Sequence, residues 1–157
     1  MRRFLGFTRV GAALLLSLTI GAAPAFAQPG PGGPGNPDVE GTWMFNVTPG
    51  GGFPPPFLAM ITFGAGGGLV ETETDAQITG QGTWQEKPGN TVSFTLVQFE
   101  FTNGVWDGTF VATGTLKYDP AKRTLKGPFT VSFYDTSNNL LFSAGGSSLT
   151  GSRIPPK

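Results

Sequence analysis

Residues 41–48 read GTWMFNVT, and Trp43, Phe45 and Val47 occupy every second position of this stretch. Because successive side chains of a β-strand point to opposite faces, this spacing places all three on one face. Seven further runs of the same period follow, separated by Gly, Pro and Asn. Short strands broken by turn residues at short intervals are typical of an all-β sandwich or barrel.

The runs predict eight strands and no major helix from residue 38 onward. Their ranges are 41–48, 57–63, 69–74, 80–86, 91–101, 108–118, 124–134 and 140–153. Most links are short, which favours an antiparallel up-and-down meander. Such a meander has two exposed edges unless the sheet closes, and eight strands suit closure. We therefore predict a single, closed eight-stranded barrel.

The first 27 residues have the pattern of a secretory signal peptide. Arg2, Arg3 and Arg9 form a positive region, an apolar run covers residues 10–23, and small residues flank a cleavage site after Ala27. The apolar run is short for a membrane span, which needs about 20 residues. The pattern predicts export to the periplasm or the medium, with no stable membrane span after cleavage.

The rest of the chain divides into a tether and a domain. Residues 28–37, QPGPGGPGNP, form a Pro/Gly stretch that cannot bury apolar surface and is expected to be disordered. Residues 38–157 are then the β-barrel domain, which is long enough for one core.

Charge and composition exclude several classes of function. Removing the signal leaves seven basic and ten acidic residues, a net charge of −3, so a nucleic-acid partner is not expected. The chain has no His and no Cys, which removes the commonest general base, the commonest metal ligand and any disulfide. Without a Gly-x-Ser-x-Gly elbow either, we predict no catalytic constellation, no metal site and no cofactor.

The start of the first predicted strand and the end of the eighth resemble those of the calycin superfamily, which contains lipocalins, fatty-acid-binding proteins and avidins. The features are Gly41-Thr42-Trp43 at the start of the first strand and Arg153 near the end of the eighth. In lipocalins a Gly-x-Trp opens the first strand, so the resemblance implies that Trp43 closes the barrel floor and that Arg153 lies over its indole. A guanidinium on an indole contributes about 0.5–2 kcal/mol.

The resemblance has departures. The Thr-Asp-Tyr-like motif of lipocalins is replaced by Tyr118-Asp119-Pro120-Ala121, and their disulfide has no counterpart. The chain is nearer to an avidin-like or minimal bacterial calycin, and it is similar to small exported bacterial proteins, a similarity that implies no function. The biotin-contacting pattern of avidins is not recognisable, so biotin binding is not implied.

Large apolar side chains are the candidates for the barrel interior. The positions predicted to face a ligand in the lumen are Trp43, Phe45, Met60, Phe94, Phe110, Tyr118, Phe129 and Phe133. Eight-stranded barrels are either filled by such side chains or hold one small ligand, and the sequence leaves both open.

Acidic side chains in the predicted strands pose a second question. Glu71, Glu73 and Asp75 alternate and share one face, where they could form a Ca²⁺ site or a solvated outer surface. Neighbours on one face lie about 6.6 Å apart, which favours the outer surface. Glu100 either lies at a polar mouth of the lumen with Gln98 or is exposed by a bulge that turns its Phe neighbours inward, and we favour the bulge.

A second Gly-Thr-Trp, residues 82–84, lies 41 positions after the first. That spacing would suit a propeller blade, but the next Gly-x-Trp, at Gly104, comes after only 22. Polar residues and a turn follow Trp84 at once. We interpret the second copy as an accidental resemblance, with Trp43 far more important for stability than Trp84.

Three functions are compatible with these features. The first is non-catalytic binding of a small apolar or amphipathic molecule in the lumen. The second is a filled barrel that serves as a structural or interaction module through the loops 49–56 and 75–79, with Phe53 as the contact residue. The third is a small-barrel isomerase or cyclase. The sequence does not predict an oligomeric state.

Overall fold

Runs of alternating inward and outward residues, separated by turn residues, form eight antiparallel strands that close into one barrel, as predicted. The computed structural model describes residues 38–52, 54–75 and 78–155. The strands follow one another around the barrel in chain order, and β8 pairs with β1. They are β1 Gly41–Thr48, β2 Phe57–Phe63, β3 Gly68–Glu73, β4 Thr79–Lys87, β5 Thr91–Thr102, β6 Val105–Asp119, β7 Thr124–Asp135 and β8 Leu140–Arg153.

Turn chemistry explains where the strands end. Asn103 and Gly104 join β5 to β6 with φ angles of 53° and 78°, and positive φ at both positions is what a tight type I′ hairpin needs. The glycine-rich link between β2 and β3 is a hairpin turn in which the Gly64 amide donates to the Gly68 carbonyl. A 3₁₀ turn, Gly50–Gly52, lies between β1 and β2. Among the described residues no helix has the length and apolar character needed to span a bilayer.

The meander gives the barrel two different ends. The connections β1–β2, β3–β4, β5–β6 and β7–β8 lie at one end, which we call the mouth. The other three connections, the start of β1 and the end of β8 lie at the opposite end, which we call the floor. The predicted signal peptide and tether lie outside the described residues.

Half of the barrel is taller than the other half. β4 pairs with β5 as far as Val97, and β1 pairs with β8 from Ser148 onward. Beyond these points β5 to β8 continue toward the mouth, paired with one another. Residues 98–110 and 131–147 therefore form a four-stranded extension, which we call the wall.

Aromatic side chains fill the floor end. Trp43 is 0% exposed, its indole N–H donates to the Val39 carbonyl at 2.8 Å, and its ring meets Tyr118 edge-on at 6.0 Å. Trp84 is 5% exposed, donates to the Gly64 carbonyl at 3.0 Å and meets Phe63 edge-on at 5.5 Å. Both indoles are bonded parts of one core, which argues against the expectation that Trp84 contributes far less than Trp43 to stability.

Arg153 ties the floor to the segment before β1. It stands opposite Trp43 in the β1–β8 register, and its guanidinium donates to the carbonyls of Asp38 and Glu40. Gly41 has a φ of 117°, and a Cβ there would lie 3.0 Å from the guanidinium. The glycine of Gly-x-Trp is thus required by its backbone conformation and by the arginine beside it. Stacking of the arginine on the Trp43 indole stays a prediction.

Candidate functional site

The residues predicted to face the lumen, apart from Met60, lie at two levels along the barrel axis. Trp43, Phe45, Phe94 and Tyr118 are buried in the core, and Phe110, Phe129 and Phe133 are partly buried nearer the mouth. The prediction for Met60 is wrong, because this residue is 42% exposed on the outer face of β2. Its neighbours Ala59 and Ile61 are the ones that point inward, since the face alternates at each step.

Among the described residues, buried apolar side chains occupy the lower barrel, and a small cavity lies above them toward the mouth. This cavity has a volume of about 40 Å³, enough for a few water molecules at most. Apolar side chains form most of its lining, and two carboxyl groups interrupt them, those of Glu71 and Glu73. A ligand can therefore occupy the space at the mouth, but not the lower barrel without displacing core side chains.

Glu71 is a buried acid inside the barrel. It is 2% exposed, and the Gln98 amide donates to its Oε2 at 2.9 Å. The expectation that Glu71 and Glu73 belong to a solvated outer face is wrong. Both share the inward face of β3 with Leu69, which is buried.

The contact between Glu71 on β3 and Gln98 on β5 crosses the strand that lies between them, β4, at a position occupied by glycine. Gly80 on β4 pairs with Glu71 on β3, and its next residue, Gln81, pairs with Val97 on β5. Gly80 therefore stands level with Gln98. Because glycine has no side chain, Glu71 and Gln98 meet across the β4 backbone.

Burial sets the protonation of the two glutamates. It raises the pKa of Glu71 to about 8, and the negative charge of Glu73 adds to the effect. Burial also raises the pKa of Glu73, while its hydrogen bond with Glu71 acts in the opposite direction. With a pKa of about 8, Glu71 carries its proton near neutral pH and can donate it in a hydrogen bond to Glu73.

Glu100 lies at the polar mouth, so the favoured bulge interpretation is wrong. Phe99 and Phe101 are exposed on the outer face of the wall, and Glu100 is half-buried on the inner side, in phase with the buried Gln98. The register shift that does occur places an extra residue, Asp107, in β6. Burial and the nearby Asp107 carboxylate raise the pKa of Glu100.

Three aromatic rings continue the same row of side chains along the wall. Gln98 pairs with Phe110, Phe110 with Phe133, and Phe133 with Phe142. The first two rings meet edge-on and the last two are stacked, each at a centroid distance of 5.0 Å. One row across the inner surface thus runs from a carboxyl–amide pair to an aromatic surface that ends at the exposed Phe142.

The basic cluster around the β6–β7 turn lies far from this row. Lys122 forms an ion pair with Asp119 at 3.7 Å, and Lys117 donates to the Gly89 carbonyl. Within the described ranges no group of three or more acidic side chains is arranged to hold a metal ion. The chemistry that the mouth offers is therefore hydrogen bonding, negative charge, one shared proton and aromatic surface.

Gly80 should be intolerant of a side chain. A Cβ at this position would lie 2.6 Å from Leu96 Cδ1 and 2.9 Å from Glu71 Oε2, so Gly80→Ala should cost about 1–3 kcal/mol of unfolding free energy. Gly68→Ala is the matched control, because a Cβ there meets nothing within 4 Å. Urea denaturation of both variants checks this, and equal stabilities would contradict the packing of Glu71 against Gly80.

Comparison with protein-family models, with curated proteins and with solved structures produced no match. The closed eight-stranded barrel is compatible with a calycin-like fold. Membership of the calycin superfamily stays a hypothesis based on Gly41, Trp43 and Arg153.

Proposed function

We propose that the protein is an exported, calycin-like barrel that binds a small amphipathic molecule at its mouth without transforming it. One observation carries this proposal: the row of inner side chains that begins at Glu71 and Gln98 and ends at Phe142. A rigid surface with a polar end and an apolar end is complementary to a molecule that has a polar group at one end and an apolar body at the other.

The binding mechanism is burial with orientation. An apolar body lying on Phe110, Phe133 and Phe142 leaves water, and each 100 Å² of apolar surface removed from water contributes about 2.5 kcal/mol. The polar group of the molecule is directed to the carboxylates of Glu73 and Glu100, which reach the mouth. Because the rings are held by neighbouring strands, little ordering is needed on binding.

An apolar fluorescent dye tests the proposal. The dye should bind the folded domain, and Phe142→Ala should weaken binding by about 5- to 30-fold, the equivalent of about 1–2 kcal/mol of lost apolar contact. Phe99→Ala is the matched control, since Phe99 is 58% exposed against 50% for Phe142 but lies on the outer face. Absence of dye binding, or equal losses in both variants, would contradict binding at the inner surface.

A second function, isomerisation or cyclisation of a bound substrate, is favoured by the shared proton of Glu71 and Glu73. A carboxylic acid that stays protonated near neutral pH can act as a general acid, and its neighbour Glu73, when ionised, as a general base. Glu71→Gln would abolish such an activity while leaving dye binding intact.

The loop-mediated interaction function is an untested alternative. Phe53 and residues 76–77, which belong to its two loops, lie outside the described residues. The described part adds a different apolar surface, the outer face of the wall, where Phe99 and Trp106 meet edge-on at 6.3 Å.

A further inference from the structure

We propose that the amphipathic ligand is cationic, an ammonium or other organic cation attached to an apolar body, and that the mouth selects against anions. This inference rests on the proposed function and names the chemical class of its ligand. It is carried by the distribution of charge along the barrel axis together with the aromatic row.

Positive and negative side chains are separated along the axis. The acidic residues at the mouth are Glu71, Glu73, Asp75, Glu100, Asp107 and Asp135. The basic residues of the described ranges all lie at the floor end, and they are Lys87, Lys117, Lys122, Arg123, Lys126 and Arg153. Four acids, Asp38, Glu40, Glu86 and Asp119, share the floor end with them. The mouth is therefore negative even with Glu71 protonated, while the floor end is slightly positive.

The carboxylates at the mouth disfavour one another. The charges of Asp75 and Glu100 help to raise the pKa of Glu73, and the charge of Asp107 helps to raise that of Glu100. Since no lysine or arginine of the described ranges lies at this end, no basic side chain among the described residues neutralises these groups. A bound cation would, and it would gain from a partly desolvated site where screening is weaker than in bulk water.

The aromatic row suits the same ligand. Phe110 lines the same cavity as Glu71 and Glu73 and meets Phe133 edge-on, and a cation over a ring face gains about 0.5–2 kcal/mol. An anion at the same place would be repelled by both the carboxylates and the negative ring faces. A neutral molecule would gain only the apolar contact.

Three ligands with the same alkyl chain separate these cases: decyltrimethylammonium and decyl sulfate, each below its micellar concentration, and decanol below its solubility limit. By calorimetry with the full folded domain, the cation should bind at least about tenfold more tightly than the alcohol, and the sulfate more weakly than the alcohol. The preference should shrink as salt is added. Equal binding of all three, or tighter binding of the sulfate, would overturn the cationic ligand while leaving the proposed function intact. No binding of any would overturn the proposed function itself.

Two single-charge variants locate the effect. Glu100→Gln at the mouth should weaken binding of decyltrimethylammonium by about 3- to 10-fold and weaken binding of decanol much less, because the neutral amide can still hydrogen-bond to a hydroxyl. Glu86→Gln removes the same charge from a half-buried position at the floor end and should leave both ligands unchanged. Equal losses in the two variants would show that only net charge matters, which contradicts recognition at the mouth. Thermal unfolding of each variant confirms that the barrel is intact.

Discussion

Replacing either Trp43 or Trp84 by alanine should lower the free energy of unfolding by about 3–5 kcal/mol, the cost of truncating a large buried aromatic side chain. Both indoles are buried, both donate to a main-chain carbonyl and both meet another ring edge-on. Each substitution leaves a cavity and removes the indole donor from a main-chain carbonyl, that of Val39 or that of Gly64, although the Gly64 carbonyl keeps the Gly67 amide as a donor. A loss of this size is a large part of the 5–15 kcal/mol stability of an ordinary domain.

The third tryptophan is a matched control. Trp106 is 43% exposed on the wall, and its indole donates to the nearby Gly108 carbonyl. Trp106→Ala should therefore cost about 1 kcal/mol or less. Far-UV circular dichroism during urea denaturation measures all three variants without relying on the fluorescence that each substitution removes. A tolerated Trp84→Ala beside an unfolded Trp43→Ala would support the interpretation of the second Gly-Thr-Trp as accidental.

The strands were predictable because each is bounded by residues with a local conformational preference. Asn103-Gly104 and the glycines after Phe63 make turns whatever the rest of the chain does, and alternation needs only neighbouring residues to be recognised. Closure followed from the number of strands and the short links. The bounds of β1, β2 and β8 agree with the prediction, and the others differ by one to three residues.

The buried acid was missed although its position carried a signal. Glu71 is two residues from Leu69, so the alternation that buries Leu69 also buries Glu71. The prediction of an outer position for Glu71 assumed that carboxylates face solvent, whereas the alternation with Leu69 indicated an inner position. What the sequence could not supply is the partner, because the contact with Gln98 depends on the register that sets Gly80 between them.

The wall was ambiguous for a different physical reason. In β5 beyond Val97, both faces are rich in large side chains, with Phe99 and Phe101 on one and Gln98 and Glu100 on the other. Alternation assigns a face only when one set is clearly more apolar. Here the more apolar set faces outward, because the strand has passed the closed part of the barrel and the lumen side is a polar mouth.

Glu71→Gln should make the domain more stable than the natural sequence at about pH 8.5 by about 3–5 kcal/mol, and equally stable at about pH 4. The pKa of Glu71 is raised from 4.5 to about 8, so the folded state holds a proton that the unfolded state releases. Stability is therefore fully present below about pH 4.5 and is lost as pH rises toward 8. A glutamine cannot ionise, so the variant avoids this loss.

The amide also fits the contacts of the protonated acid. Its oxygen can accept from Gln98, as Glu71 Oε2 does, and its N–H can donate to Glu73 as the carboxyl proton does. The raised pKa values of Glu73 and Glu100 act in the same direction as that of Glu71, so the variant should keep a weaker decline of stability with pH. Asp135, whose pKa is lowered by its hydrogen bonds to Asn139, affects stability only in more acidic solution.

Urea denaturation at several pH values measures this directly, with Glu86→Gln as the control for removal of one carboxyl group elsewhere in the barrel. The control should follow the natural protein at every pH, whereas Glu71→Gln should diverge from it as pH rises. Parallel curves for all three proteins would mean that Glu71 is ionised in the folded barrel at neutral pH. That outcome would also remove the shared proton on which the isomerase or cyclase function depends, and it would leave the cationic ligand as the more strongly supported use of the acidic mouth.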